Sequence, residues 1–214
     1  MERVWATKNA SRLPWLTDRG VAVELAAAEG LERRCGTASH QGVCAEVEEF
    51  SYADLHELLA QRAPLIVALD QVQDPQNLGS ICRSAECAGA AGIVLPERRS
   101  AVITAAVCKA SAGAVEHIPV TRVRNLGDFL AEAKAAGLWC YGADAEAAAS
   151  YESVDYSGGA VLVFGSEGRG LRPRVAASCD LLVSVPMAGR VESLSVAAAA
   201  AVLLYAARPS RLGA

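Results

Sequence analysis

The chain has 214 residues, enough for one large domain or for a domain with a small appendage. Hydrophobic residues at 52% and charged residues at 21% exclude a disordered chain, because that much apolar surface offsets the entropy cost of ordering. A formal net charge of −4 excludes indiscriminate coating of nucleic acid but leaves room for a local basic patch.

The opening segment, Met1-Glu2-Arg3-Val4-Trp5, lacks the basic and apolar stretches of a secretory signal, so a cytoplasmic location is the default expectation. Residues 21–25 read as a strand or an early helix, and residues 40–47 as a short alternating strand, so a small N-terminal unit is expected up to about Glu49. Residues 52–59 carry helical periodicity within a connection that ends before Pro64. From there short apolar runs alternate with helical stretches, the rhythm of a mostly parallel α/β sheet with helices on both faces. The runs are 65–69, 92–95, 138–141, 160–164 and 181–186, giving about five buried strands. Helices are predicted over 77–90, 101–112, 125–136 and the alanine-rich 194–207, with a short turn after Leu171. The longest apolar run, 196–207, falls short of the roughly 18 residues needed to cross a bilayer. The seven cysteines (35, 44, 82, 87, 108, 140 and 179) form no C-x-x-C pair and none stands near His40, His56 or His117 with zinc-finger spacing. Reduced, mostly buried thiols and no metal site are expected.

Three clusters carry chemistry, each at the end of a predicted strand, where open α/β sheets gather ligands. The first runs from Leu69 to Arg83, with Asn77 at the expected mouth of a helix and Arg83 nearly two turns in, read as lying on roughly the same face and reaching one anion. Its plain alternative is an Asn N-cap and an arginine in a surface ion pair. The second, Gly165-Ser166-Glu167-Gly168-Arg169-Gly170-Leu171, is a glycine-rich turn that exposes backbone amides yet lacks the residues of a Walker loop and the long helix of a dinucleotide fingerprint. An ordinary tight turn is the alternative. The third, Val185 to Ala198, holds Ser193 as the expected cap of the alanine-rich helix.

Taken in order, these clusters resemble the SpoU/TrmH branch of the SPOUT superfamily, S-adenosylmethionine-dependent RNA 2′-O-ribose methyltransferases. The likeness extends over Leu65 to Arg208 and includes the stretch Ala112 to Val120. Its first motif matches Asn77, Gly79 and Arg83, its second Gly165 to Gly168 with Gly170 and Leu171, and its third Pro186-Met187 through Ser193-Leu194. The resemblance implies a deep C-terminal trefoil knot, a homodimer and S-adenosylmethionine bent in the knot. The cofactor would lie against Gly142, Ala143, Phe164, Gly165, Gly168, Val185, Met187 and Leu194. It also implies the division 1–48 as a partial RNA substrate-binding domain, 49–63 as linker and 64–214 as the methyltransferase domain. Residues 4–10 and 40–47 resemble only the later part of the family's substrate-binding domain, so an opening strand and helix are expected to be missing, as in a clipped start. A further departure is Ser195, where the family usually has Asn after Ser-Leu. A serine hydroxyl cannot supply both a carbonyl acceptor and an NH2 donor, so contacts there would be shortened or water-bridged.

Methyl transfer from a sulfonium to a ribose hydroxyl needs an in-line approach and removal of one proton. By the resemblance, Arg83 grips the phosphate beside the target ribose. A guanidinium is a poor proton acceptor, so it would orient a phosphate or water that takes the proton. Asn77 would hold Arg83 or the ribose, Glu167 would orient the arginine or the loop, and Ser193 and Ser195 would touch the substrate side. Arg83, Arg169, Arg172 and Lys109 are the expected RNA contacts, with Arg98, Arg99, Arg122, Arg124 and Arg174 adding positive surface. Ribosomal RNA is the leading substrate and transfer RNA the alternative. A catalytically silent knotted RNA-binding protein is the different-class alternative, and a nucleotide-binding oxidoreductase is disfavoured by the missing fingerprint.

Overall fold

The structure is a computed structural model that describes residues 3–17, 20 and 22–208. The chain divides into two compact units, one ending at Ser51 and the other starting at Tyr52. In the first, β1 (Arg3–Ala6) pairs in parallel with β2 (Val23–Leu25) and antiparallel with β3 (Val43–Glu46). The ambiguous segment 21–25 is therefore a strand from Val23; Val21 lies outside the described residues. Alternation along β1 separates two faces. Val4 and Ala6 bury against Ala10 and against Leu16 of α1 (Pro14–Thr17), whereas Trp5 lies under the Arg34 guanidinium of α2 (Ala28–Cys35), 4.3 Å from its ring centroid, and its indole donates to Glu24 at 2.9 Å.

The second unit opens with α3 (Leu55–Leu59), capped by Asp54. There follow β4 (Leu65–Leu69), α4 (Pro75–Ala88), β5 (Gly92–Pro96), α5 (Ala105–Ala110), β6 (Val120–Val123), α6 (Leu126–Ala135) and β7 (Trp139–Ala143). The chain continues through β8 (Ala149–Ser150), β9 (Ala160–Phe164), α7 (Pro173–Ser178), β10 (Leu181–Ser184) and α8 (Val196–Ala207). The seven strands form one parallel sheet in the order β6-β5-β4-β9-β7-β10-β8. Strand β9 inserts between β4 and β7, with Leu69 level with Phe164, so the chain leaves both strands side by side at one edge of the sheet.

Every residue of β4, β5 and β9 is buried, as helices on both faces require. Ile66, Ala68, Val161 and Val163 pack with Leu58, Phe129, Leu130, Ala133 and Val175 of α3, α6 and α7. The alternate strand residues are equally buried, and on that side α4 packs against α5 and α8. Gly79 permits the α4–α5 approach, since a Cβ there would stand 2.4 Å from Ala110 Cβ and 2.9 Å from the Val107 carbonyl. No helix among the described residues is long and apolar enough to cross a membrane.

Two helix starts differ from the sequence reading. Helix α4 begins at Pro75, with Asp74 as N-cap accepting from the Gln76 amide at 3.0 Å, which moves Asn77 into the first turn. Pro at the first helical position, with its φ already suited to the helix, makes Asp74 the better start. Helix α8 is capped not by Ser193 but by Ser195, whose Oγ accepts from the Ala198 amide at 3.2 Å. The cysteines are less buried than expected: Cys82 and Cys140 are buried, Cys35, Cys44, Cys108 and Cys179 half-buried, and Cys87 exposed, all as free thiols.

Candidate active site

The glycine-rich turn leaves β9 at Gly165 and closes on itself. Ser166 and Gly170 exchange backbone hydrogen bonds of 3.1 and 2.9 Å, and Gly168 and Gly170 take left-handed φ values of 75° and 63°. At Gly165 only a hydrogen fits, because a Cβ would lie 2.0 Å from the Gly170 carbonyl carbon and 2.3 Å from the Leu171 amide nitrogen. Asp70, at the end of β4 and fully buried, ties down the exit of the turn. Its Oδ2 accepts from the Arg172 amide at 2.9 Å and its Oδ1 from Arg172 Nε at 2.7 Å, while its own amide donates to the Phe164 carbonyl at 2.7 Å.

The fastened turn separates two clefts. One, of about 490 Å³, lies between the ends of β7, β9 and β10 and the start of α8. Its walls include Ala143, Phe164, Gly165, Gly168, Val185, Met187 and Leu194, together with Glu167 and Ser193. Seven of the eight residues expected to hold a cofactor thus share one cleft. Gly142 does not line it: a Cβ there would meet the side chains of Leu182, Leu171 and Cys179 at 2.6–3.0 Å, so its smallness serves internal packing. The second cleft, of about 370 Å³, is lined by Gln71, Val72, Gln73, Asp74 and Asn77, and shares Ser166, Glu167 and Arg169 with the first.

The expected pairing of Asn77 with Arg83 is not what the helix provides. Six residues at about 3.6 per turn place them about 120° apart around α4. Asn77 donates through Nδ2 to Asp74 at 3.2 Å and lines the second cleft, whereas Arg83 is exposed and lines neither. Ser195 is committed to its cap and is also absent from both walls. Arg169 faces both clefts. Arg172 is anchored on Asp70 and borders a third, arginine-lined cleft, and Lys109 is exposed in the last turn of α5, away from all three.

The first cleft also contains acidic residues that the motif reading passed over. Asp144 and Glu146 follow β7 and Glu192 precedes Ser193, so with Glu167 four carboxylates line the cleft along with Arg169 and the apolar Phe164, Val183, Val185 and Leu203. A lining of carboxylates and apolar side chains suits a ligand with a planar apolar ring and fixed positive charge. An alternating acidic pattern after β7, Asp144-Ala-Glu146, was the available signal in the sequence. Burial pushes the thiols of Cys82, Cys140 and Cys179 up to about 12, so they are protonated at neutral pH.

An acidic, apolar-lined cleft beside a polar one, both at strand ends, is compatible with an enzyme that holds a cationic donor next to a separate acceptor. Residues 64–205 match the SpoU rRNA methylase family, and residues 1–53 match the RNA 2′-O ribose methyltransferase substrate-binding family. The Bacillus subtilis protein YacO, assigned to the TrmH family of tRNA/rRNA methyltransferases, is 42% identical over 192 residues, spanning 87% of this chain and 77% of its own. Among solved structures, the SpoU methyltransferase AviRb from Streptomyces viridochromogenes in complex with AdoMet superposes with a TM-score of 0.81 at 28% identity, covering 96% of this chain and 81% of AviRb. An AdoMet-bound rRNA methyltransferase from Sinorhizobium meliloti gives 0.79 at 30% identity, covering 99% and 80%. The chain belongs to the SpoU rRNA methylase family. It is an S-adenosylmethionine-dependent RNA methyltransferase, and the acidic, apolar-lined cleft fits that cofactor's sulfonium, ammonium and adenine.

Proposed function

We propose that the enzyme methylates a ribose 2′-hydroxyl, with ribosomal RNA as the leading substrate and transfer RNA as the alternative. The observation that carries this reading is the shared wall: Ser166, Glu167 and Arg169 separate the cofactor cleft from the cleft that holds Asn77. A methyl donor in the first and a ribose in the second would then border the same three residues, the proximity that methyl transfer requires. S-adenosylmethionine supplies the methyl group as a sulfonium. Glu167 and Arg169 border donor and acceptor alike, Asn77 faces the acceptor, and Arg83 clamps RNA phosphate from the exposed side of α4. The N-terminal unit, whose family match is to substrate binding, selects the RNA. The working form is a cytoplasmic homodimer with a knotted C-terminal domain, and Arg83 acts at the face where RNA crosses it.

Ser195, the departure that motivates the silent-binder alternative, does not by itself argue against an active enzyme. Serine and asparagine are equally good N-caps, so the exchange keeps the start of α8 and leaves the cofactor walls untouched. The test is transfer of labelled methyl from S-adenosylmethionine to unmodified ribosomal RNA and to bulk transfer RNA, with Arg83→Ala beside the wild type. Label on one RNA class that falls at least about tenfold in the variant, a loss of about 1.4 kcal/mol of transition-state binding, supports the reading. Cofactor binding without transfer to either RNA overturns it.

A further inference from the structure

A third cleft, of about 610 Å³, lies where β4, β5 and β6 end. It is lined by Arg98 and Arg99 after β5, Arg124 after β6, and Arg172 and Arg174 at α7. Gln71, held at a left-handed φ of 63°, borders both this cleft and the one containing Asn77. We propose that the arginine cleft binds the phosphodiester backbone of the RNA strand that flanks the target nucleotide. The proposal rests on the RNA methyltransferase reading and extends it by assigning the track the strand follows.

Charge makes the argument. Of the five arginines only Arg172 forms an ion pair among the described residues, with Asp70; Arg98, Arg99, Arg124 and Arg174 have no carboxylate within ion-pairing distance. Asp128, Glu97 in an adjoining recess and the buried Asp70 are the acidic groups present, which leaves two surplus positive charges in a chain of net charge −4. The cofactor cleft has the opposite balance, four carboxylates against one arginine. Such segregation along one sheet edge suits a cationic donor at one end and a polyanion at the other. The start of α6 adds to the field: Asn125 caps it, Leu126 and Gly127 line the cleft, and the positive end of the helix dipole faces the same space.

Arginine, with its planar fork, is the side chain that grips phosphate oxygens in pairs.

The test compares wild type with Arg98→Ala/Arg124→Ala/Arg174→Ala. Binding of a short fluorescein-labelled single-stranded RNA of mixed sequence, and of bulk ribosomal RNA, is followed against salt concentration. Removing three phosphate contacts should flatten the slope of log K against log salt by about 2, at about 0.7 per contact on single strands. S-adenosylmethionine affinity and thermal unfolding, read on the same proteins, should stay as in wild type. The triple Arg→Lys variant at these positions should recover most of the slope, which separates lost charge from lost packing. Unchanged RNA affinity and slope in the alanine variant, with cofactor binding intact, overturns the arginine cleft and leaves the methyltransferase reading standing. A wild type that binds neither RNA overturns that reading and this proposal with it.

Discussion

Asp70→Asn tests whether the turn between the clefts is held as described. Both carboxylate oxygens accept, one from the Arg172 amide and one from Arg172 Nε, at 2.9 and 2.7 Å. Asparagine keeps one acceptor and turns an NH2 toward a donor, so one hydrogen bond is lost and a buried donor is left facing another. Losing a partner in this way costs about 1–3 kcal/mol. The ion pair adds little beyond that, because the Arg172 side chain is 45% exposed and its charge is screened by solvent. An expected loss of about 2 kcal/mol lowers the melting temperature by roughly 4–8 °C for a unit of this size. Calorimetry of wild type and variant reads it, and cofactor titration should show weaker S-adenosylmethionine binding, since the loosened turn contributes Gly165 to Leu171 to the cleft. A melting temperature within 1 °C of wild type, with unchanged cofactor affinity, would refute the role given to Asp70.

Gly165→Ala should weaken cofactor binding at least about tenfold in titration calorimetry, because its Cβ meets only backbone and the paired Ser166–Gly170 hydrogen bonds must open to admit it. Ser195→Ala should cost about 1 kcal/mol of stability through the lost cap, whereas Ser195→Asn should be nearly neutral; chemical denaturation distinguishes the two. Thiol labelling of the native protein near neutral pH should modify the exposed Cys87 first and leave Cys82 and Cys140 unreacted until the chain unfolds, a pattern peptide mass mapping would show. Those two thiols and Cys179 keep their protons to about pH 12 in the folded state, against 9.0 unfolded. Their contribution to stability is therefore intact below pH 9 and is lost as pH rises from 9 to 12, and Cys82→Ala should flatten that decline in melts across the range.

The central strands were legible because burial on both faces writes them as continuous apolar runs: 65–69 and 160–164 coincide with β4 and β9. Strands β6 and β8 were missed, and they are the two edges of the sheet. In β6 the apolar run is broken by Thr121, buried with its Oγ1 donating to the Ala53 carbonyl at 3.1 Å, and by the half-buried Arg122, while β8 is only two residues long. The cofactor cleft was legible through residues contiguous in sequence with strand ends. Gly142 lies outside the lining of that cleft, and a glycine that opens space for a ligand looks the same in sequence as one that admits neighbouring side chains. Asn77 and Arg83 were read by count along the chain, and only the helix angle separates them. The arginine cleft was out of reach, since Arg98, Arg124 and Arg174 follow three different elements and come together only through the order in which β4, β5 and β6 pair.

The position of the transferred methyl tests the account most directly. RNA labelled by the enzyme from S-adenosylmethionine is hydrolysed in alkali, which cleaves beside every free 2′-hydroxyl. Label recovered in an alkali-resistant dinucleotide, and reduced at least about tenfold in the Arg83→Ala reaction, is the result predicted here. Label released in mononucleotides would place the methyl on a base and contradict a ribose acceptor in the Asn77 cleft.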